Sequence, residues 1–422
     1  MRGQGGGLAV PGGPVGTAGL GVPAALERAL ETAGAAEVLS GYLHTWAADF
    51  LRSLRLHEES SGGAQTAPAA AEAVRQLRAA ARRIGSALLT YRPLVDAAWA
   101  DELSGELRRL SGTLAREYRC AARSARLLGG LHRLTLEGVG GDRAAALLER
   151  QHSLARSRAH SAALEALVSS RFHAVADAVA VLAYEVPLTP EAARDGDAHD
   201  AHDAREVLVP LADRARERLV RAVAALPPPR SRDGQGRDGP RGQETQSRRD
   251  AAWLEVRILL RHHRYAQEVL YAGAGAGPGA GAGAADASAR TAGTSGTGKP
   301  VAPREPQEQA APPEPVPESP DPRLATAGRA LDRYRDAIEA ADAAAAAART
   351  PRIAPATAYA LGVLHAGQRQ EAEAARREFA ELWDRVLNGG PGASGYAANS
   401  TEANSTEANR GADCREAEPQ TL

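Results

Sequence analysis

Apolar residues recur at helical spacing over most of this chain, and this period limits the fold more than any other feature. It runs from about residue 35 to 184, returns at 205–226 and 250–271, and reappears at 323–387. No stretch alternates apolar and polar residues as a half-buried strand would. The sequence therefore predicts an all-α fold of amphipathic helices.

Glycine, alanine, proline and polar residues fill the segments between and beyond these helices. Residues 227–247 are rich in Pro, Gly and Arg, and residues 273–322 run from Gly/Ala repeats into Pro and Glu. Such segments bury too little apolar surface to offset the entropy of ordering them. We therefore predict one helical domain over 35–387 with linker-like insertions at these two places, and disordered ends at 1–34 and 388–422.

Charge and cysteine content exclude several classes of protein. The 51 basic and 52 acidic residues leave a net charge of −1, so the chain as a whole does not attract polyanions or membranes. Two cysteines cannot form a disulfide framework. No apolar run approaches 18 residues, and Gly and Pro interrupt the first 16 residues, so neither a membrane span nor a signal peptide is predicted. We expect a cytoplasmic protein without a membrane partner.

Catalytic and metal-binding motifs are not found in the sequence. It contains no phosphate-binding loop, no G-x-S-x-G and no H-E-x-x-H. The segment "DAHDAHDA" at 197–204 combines His and Asp, but its simple repeat within a polar stretch favours a solvated loop over a metal site. We expect no enzyme, no catalytic residue, no cofactor and no metal.

Arginines line two of the predicted helices, and an internal repeat relates these helices. The segment "VRQLRAAARRI" at 74–84 aligns with "WLEVRILLRHHRY" at 253–265, and "LAREYR" at 114–119 later aligns with "LDRYRD" at 331–336. The first alignment superposes three pairs of basic residues, namely Arg78 with Arg257, Arg82 with Arg261, and Arg83 with His262. Two related halves, each with a basic helix, suggest a pseudo-twofold helical protein.

The first basic helix carries its arginines on a face that largely lacks acidic neighbours. Arg75, Arg78 and Arg82 fall within about 60° of one another on a helix, and Glu72 is the acidic residue near them. A solvated arginine face is the default interpretation. The other interpretation is a polyanion-binding ladder, because guanidinium groups bind phosphate oxygens bidentately. The repeat favours the second.

These motifs resemble the CHAD domain, the conserved-histidine α-helical domain whose known members bind inorganic polyphosphate. Members carry a helix of the form H-x-x-R-V-x-x-R-R-x-R with a "FRPLL"-like end, similar to "RQLRAAARRIG…TYRPL" here. Their second half carries H-x-x-R-K-x-x-K-R-x-R-Y, similar to "LEVRILLRHHRY". The helices predicted at 37–54 and 361–386 also resemble the first and last helices of the family. Arg75 and Leu254 stand where the two name-giving histidines would be, so the chain is a diverged member.

The resemblance implies two pseudo-twofold-related, four-helix-bundle-like halves whose basic helices meet at a central groove or pore. It implies non-catalytic binding of inorganic polyphosphate or a similar polyanion, with polyphosphate granules as a further partner. The residues expected to bind the polyanion are Arg75, Arg78, Arg82, Arg83, Arg257, Arg261, His262 and Arg264. We expect His262 to add charge below about pH 6.5. The alternative is a helical scaffold that has kept the fold and lost the ligand; nucleic acid is a weaker candidate, because aromatic rings for base stacking are nearly absent beside the arginines.

Overall fold

The computed structural model describes residues 20–60, 66–136, 141–195, 203–227, 240–275 and 321–388. Eleven α-helices make up this part of the chain: α1 Ala24–Leu30, α2 Ala35–Ser60, α3 Ala67–Thr90, α4 Ala97–Leu136, α5 Asp142–Leu167, α6 Ser170–Leu182, α7 Pro190–Asp195, α8 Ala204–Ala224, α9 Pro240–Gly273, α10 Pro322–Ala348 and α11 Pro355–Asn388. A short 3₁₀ helix, Arg92–Leu94, follows α3. Over the described ranges there is no β-strand, and two isolated bridges are the only β pairing. The all-α prediction is confirmed.

Helix α3 shows how local sequence sets these elements. Pro68 lies in its first turn, where proline is tolerated because the missing N–H would have no helical partner. A stripe of apolar residues at i, i+4, i+7 and i+11 is buried, and its members are Leu77, Ala81, Ile84 and Leu88. The helix ends at Thr90, and Pro93 follows within the 3₁₀ turn, since proline cannot continue an α-helix. One face of α3 is therefore fixed to the core, and its arginines occupy the rest.

Two sets of four helices repeat the same packing order. Helix α3 packs between α2 and α4, and α4 also packs against α5. Helix α9 packs between α8 and α10, and α10 also packs against α11. The two basic helices, α3 and α9, pack against each other, and so do α4 and α10. The predicted pseudo-twofold relation between the halves is therefore present in the fold.

Three apolar cores stabilise the fold. The first joins the halves and lies among α2, α3, the start of α4, α6, α8 and the end of α9, and the second lies among α9, α10 and α11 of the second half. The third joins the end of α4 and start of α5 to α10 and α11. A buried hydrogen bond adds to these contacts, because the Tyr91 hydroxyl donates to the carbonyl oxygen of Ala266 at 2.9 Å. Packing on both sides of the interface therefore fixes which faces of α3 and α9 meet.

Two predicted domain boundaries need correction. Helix α1 lies within the segment 1–34, and its Leu26 and Leu30 are buried in the first core. Leu20 is buried in the second core. Helix α9 begins at Pro240, before the predicted end of the insertion 227–247. In the first case Gly and Pro neighbours outweighed a short apolar period, and in the second the start of α9 is polar and has no apolar period to reveal it. Of the predicted insertions and ends, residues 1–19, 228–239, 276–320 and 389–422 lie outside the described residues.

Within the described ranges, no helix combines the length and apolar character that a membrane crossing requires.

Candidate functional site

Arginines from four helices come together where α3 meets α9. Burial and then the charges of Arg82, Arg119 and Arg335 lower the pKa of the Arg78 guanidinium to about 10. Burial, with the charges of Arg257 and Arg82, lowers the pKa of Arg261 to about 10 as well. Both groups stay protonated at neutral pH, so the like charges persist. We call these residues the basic cluster, and its members are Arg78, Arg82, Arg119, Arg257, Arg261 and Arg335.

The centre of the basic cluster has no carboxylate of its own. Arg82 and Arg261 are half-buried and form no hydrogen bond or ion pair with any residue that the structure describes. Arg78 donates from its Nε to the carbonyl oxygen of Ser111 at 3.3 Å, which leaves its charge unpaired. These three groups are therefore the cations with most to gain from an external anion.

A row of acidic residues on α10 neutralises Arg257 and Arg335, two of the three cluster members that the second half supplies. Asp332, Asp336 and Glu339 recur at i, i+4 and i+7, which puts them on one face of the helix. Asp332 lies 2.5 Å from the Nε of Arg257. Arg335 forms ion pairs with Asp332, Asp336 and Glu339, and Arg119 lies 3.5 Å from Glu339. The unpaired charge of the cluster thus lies on two arginines of the first half, Arg78 and Arg82, and on Arg261 of the second half.

Arg83 points into a different environment from Arg82. Its Nε lies 2.7 Å from Oε2 of Glu268, and its guanidinium lies over the rings of Trp46 and Tyr265, at 4.2 and 5.0 Å from their centroids. Burial alone would lower the pKa of Arg83, but the Glu268 carboxylate, together with Tyr265 and Tyr42, raises that pKa above its usual value. The structure therefore gives Arg83 partners within the protein.

The remaining predicted site residues lie at the margins of the cluster. Arg75 is exposed and donates to Glu72 on its own helix at 2.8 Å. The guanidinium of Arg264 lies beside Gly328 of α10, and a Cβ added to Gly328 would lie 3.7 Å from it. Neither is brought to the centre where Arg82 and Arg261 face each other.

His262 does not supply the charge that was expected of it. Burial and then the charges of Arg261, Arg218 and Arg108 lower the pKa of its imidazole to about 4. The expectation that His262 becomes charged below about pH 6.5 is therefore wrong. The reason is first the burial of the imidazole and then the charges of three arginines from three helices, and the sequence alignment showed only the arginine on its own helix.

Arg119 and Arg335 were missed as members of the cluster. Both lie in the second pair of repeated segments, 114–119 and 331–336, which follow the basic helices in each half. That position was a usable signal, because α4 and α10 must pack beside α3 and α9 in a repeated bundle.

No group of three His, Cys, Asp or Glu residues within the described part of the chain is arranged to hold a metal ion. Most of the Asp/His segment at 197–204 lies outside that part.

Comparisons with known proteins agree with the resemblance inferred from the motifs. A family model described as "CHAD domain" matches residues 45–282. Among solved structures, PptA from Streptomyces chartreusis is 44% identical and superposes with a TM-score of 0.61. That match covers 83% of this chain and 99% of that chain. A search of curated proteins found no match.

Proposed function

The chain belongs to the CHAD domain family, and from this membership together with the basic cluster we propose that it binds inorganic polyphosphate without turning it over. The observation that carries the proposal is the unpaired charge of Arg78, Arg82 and Arg261. Burial lowers the pKa values of Arg78 and Arg261 to about 10, and the charge of Arg82 contributes to both shifts. A bound polyanion would reverse that unfavourable interaction, because each phosphate places a negative charge between them.

The chemistry of guanidinium suits this ligand. Its planar donors match two phosphate oxygens at once, and Arg78 and Arg82 lie one helical turn apart on α3. Arg261 faces them from α9. A chain of linked phosphates can therefore contact both helices along the line where they meet. The neighbouring Arg119, Arg257 and Arg335 extend the same surface towards α4 and α10.

Binding without turnover is part of the proposal. The groups gathered here supply positive charge and hydrogen-bond donors, and the nearby carboxylates of α10 already accept from arginines. Such a set holds phosphate more readily than it activates water. Incubation with long-chain polyphosphate should release no orthophosphate; steady release that tracks protein concentration would refute this part.

The binding test compares the wild-type chain with an Arg78→Ala/Arg82→Ala variant in a titration with long-chain polyphosphate. Two charge-assisted contacts of about 1.5–3 kcal/mol each are lost, so affinity should fall by about a hundredfold or more. The matched control is Arg143→Ala/Arg150→Ala, which removes two exposed arginines far from both motifs and should leave affinity unchanged. Equal affinity of the wild type and the Arg78/Arg82 variant would favour the scaffold alternative instead.

Salt dependence and ligand choice sharpen the test. Affinity should fall steeply between 50 and 200 mM salt, as expected when counterions are released from a polyanion. Polyphosphate should compete better than single-stranded nucleic acid of equal charge, because the cluster offers guanidinium donors and few rings for base stacking. Equal or tighter binding of nucleic acid would overturn the choice of ligand.

A further inference from the structure

A second basic cavity opens between α4 and α5. It is a cleft of about 320 Å³. Four arginines and a cysteine line it together with three alanines of α5, and these five residues are Arg116, Arg119, Cys120, Arg123 and Arg158. We call it the hairpin cleft. Arg119 is its one residue in common with the basic cluster.

The internal repeat shows that side chains lining this cleft have smaller counterparts in the second half. The alignment of the segment 114–119 with α10, continued downstream, matches Cys120 with Ala337 and Arg123 with Ala340. Both alanines are fully buried in cores that α10 shares with α11. Small side chains at these positions let α10 and α11 pack closely, whereas the thiol of Cys120 and the guanidinium of Arg123 line the hairpin cleft. The two halves therefore differ at residues that line it.

The charge in the hairpin cleft is not balanced by its surroundings. Arg116 and Arg158 are exposed, and neither makes an ion pair with a described residue. Arg119 and Arg123 share one carboxylate, Glu339 of α10, at 3.5 and 2.7 Å. The Nε of Arg123 is buried and has no hydrogen-bond partner within the described chain.

The other carboxylate near this part of α4, Glu117, is held by α5. It lies 2.9 Å from His160 and 3.8 Å from Arg156. The cleft thus presents four guanidinium groups against the single shared charge of Glu339. An excess of this size in a small cavity favours a multiply charged anion.

We propose that the hairpin cleft is a second anion site, which binds a short inorganic phosphate such as pyrophosphate or tripolyphosphate. Its volume lies at the lower end of small-molecule sites, which suits a short anion better than a long chain. Guanidinium groups on opposite walls, Arg116 from α4 and Arg158 from α5, can each hold phosphate oxygens bidentately. The wall between them is alanine, so the site offers no ring on which a nucleobase could stack. The proposal does not depend on polyphosphate binding at the basic cluster.

Cys120 provides a local reporter of occupancy. The chain has two cysteines, so a Cys414→Ser background leaves Cys120 as the single thiol. Its alkylation by neutral iodoacetamide should slow at least fivefold when tripolyphosphate is added. Adding Arg116→Ala/Arg158→Ala should abolish this protection while leaving long-chain polyphosphate affinity unchanged. Both arginines are exposed, so the variant should fold normally. The Arg78→Ala/Arg82→Ala variant should show the opposite pattern, with protection kept and long-chain affinity lost.

Calorimetry decides the question even if Cys120 reacts slowly in every form. The Arg78→Ala/Arg82→Ala variant should bind one tripolyphosphate, and adding Arg116→Ala/Arg158→Ala should remove that binding. Loss of tripolyphosphate binding in the Arg78/Arg82 variant would place the anion in the basic cluster and overturn the proposal. Binding that survives the Arg116/Arg158 substitutions, or that sulfate matches at equal concentration, would overturn it too.

Discussion

Alanine substitution of two neighbouring arginines on α3, Arg82 and Arg83, should have opposite effects on binding and on stability. The two side chains are adjacent in sequence and equal in charge. Arg82 meets Arg78 and Arg261 and has no ion pair with a described residue. Arg83 pairs with Glu268 on α9. Any nonspecific effect of removing positive charge from α3 is the same in both variants, so a difference between them reports their surroundings.

The cost of Arg83→Ala can be worked out from its contacts. Removing one partner of a buried ion pair costs about 3–5 kcal/mol, and the side chains of Arg83 and Glu268 are 22% and 18% exposed, which argues for less, about 2–3 kcal/mol. The stacking on Trp46 and Tyr265 adds about 0.5–1 kcal/mol per ring. The free energy of unfolding should therefore fall by about 3–5 kcal/mol. At roughly 2 °C per kcal/mol for a chain of this size, Tm should fall by about 6–10 °C.

The cost of Arg82→Ala should be near zero or negative. No hydrogen bond or ion pair to the described residues is lost, and alanine has the higher helix propensity. The substitution also relieves repulsion on Arg78 and Arg261. Stability should stay within about 0.5 kcal/mol of the wild type or rise. Polyphosphate affinity should fall about tenfold, the value of one charge-assisted phosphate contact.

Thermal unfolding and polyphosphate titration of both variants, in the same buffer, test this contrast. Arg83→Ala should melt early and bind with wild-type affinity below its transition, and Arg82→Ala should melt normally and bind weakly. If Arg83→Ala does not fold, Glu268→Gln removes the same ion pair at constant volume and should lower Tm without changing affinity. A stable Arg83→Ala protein that binds polyphosphate weakly would refute the reasoning, because it would mean that Arg83 serves the ligand.

Three further outcomes follow from individual contacts. Asp332→Asn removes the carboxylate that holds Arg257, so polyphosphate affinity at low salt should rise severalfold in a titration; unchanged affinity would mean that Arg257 does not reach the ligand. The pKa of His262 is lowered in the folded state, so the unfolded chain binds more protons and stability should be lost as pH falls from 6.5 towards 4. His262→Gln should reduce that loss in pH-dependent denaturant unfolding, and an unaltered pH profile would contradict the shift. Tyr91→Phe removes the hydroxyl that donates to Ala266 and should cost about 1 kcal/mol in the same assay, whereas no change would show that the bond adds nothing.

The sequence was sufficient for the features that depend on local pattern. The apolar stripe of α3 predicted the face that is buried, because helical periodicity is a property of consecutive residues. The internal repeat predicted that α3 and α9 are equivalent, and in the structure they pack against each other. Arg82 and Arg261 come close enough for one charge to lower the pKa of the other. The centre of the basic cluster could therefore be found from the repeat alone.

The partners of individual arginines could not be found in this way. Glu268 is 185 residues from Arg83, and nothing in either segment signals that they meet. The acidic row of α10 was visible as a spacing of Asp332, Asp336 and Glu339, but which helix it faces depends on how α10 rotates against α9 and α4. Which guanidinium groups are neutralised depends on ion pairs between helices that are distant in the sequence. These ion pairs are determined by tertiary packing, which the sequence pattern does not show.

The two halves share a fold but differ in how many carboxylates pair with their arginines. The two sides of the basic cluster should therefore contribute unequally to binding. Where α10 has Asp332 and Asp336, the repeat alignment gives α4 an alanine and Arg119. Arg257 is therefore paired with Asp332 at 2.5 Å, while its counterpart Arg78 has no carboxylate partner among the described residues. An arriving polyanion gains most where the positive charge is unpaired, so contact with the first half should contribute more to affinity than contact with the second. In the second half a polyanion must compete with carboxylates for the arginines. Asp332→Asn removes this competition at Arg257 and should leave its charge unpaired, as the charge of Arg78 already is.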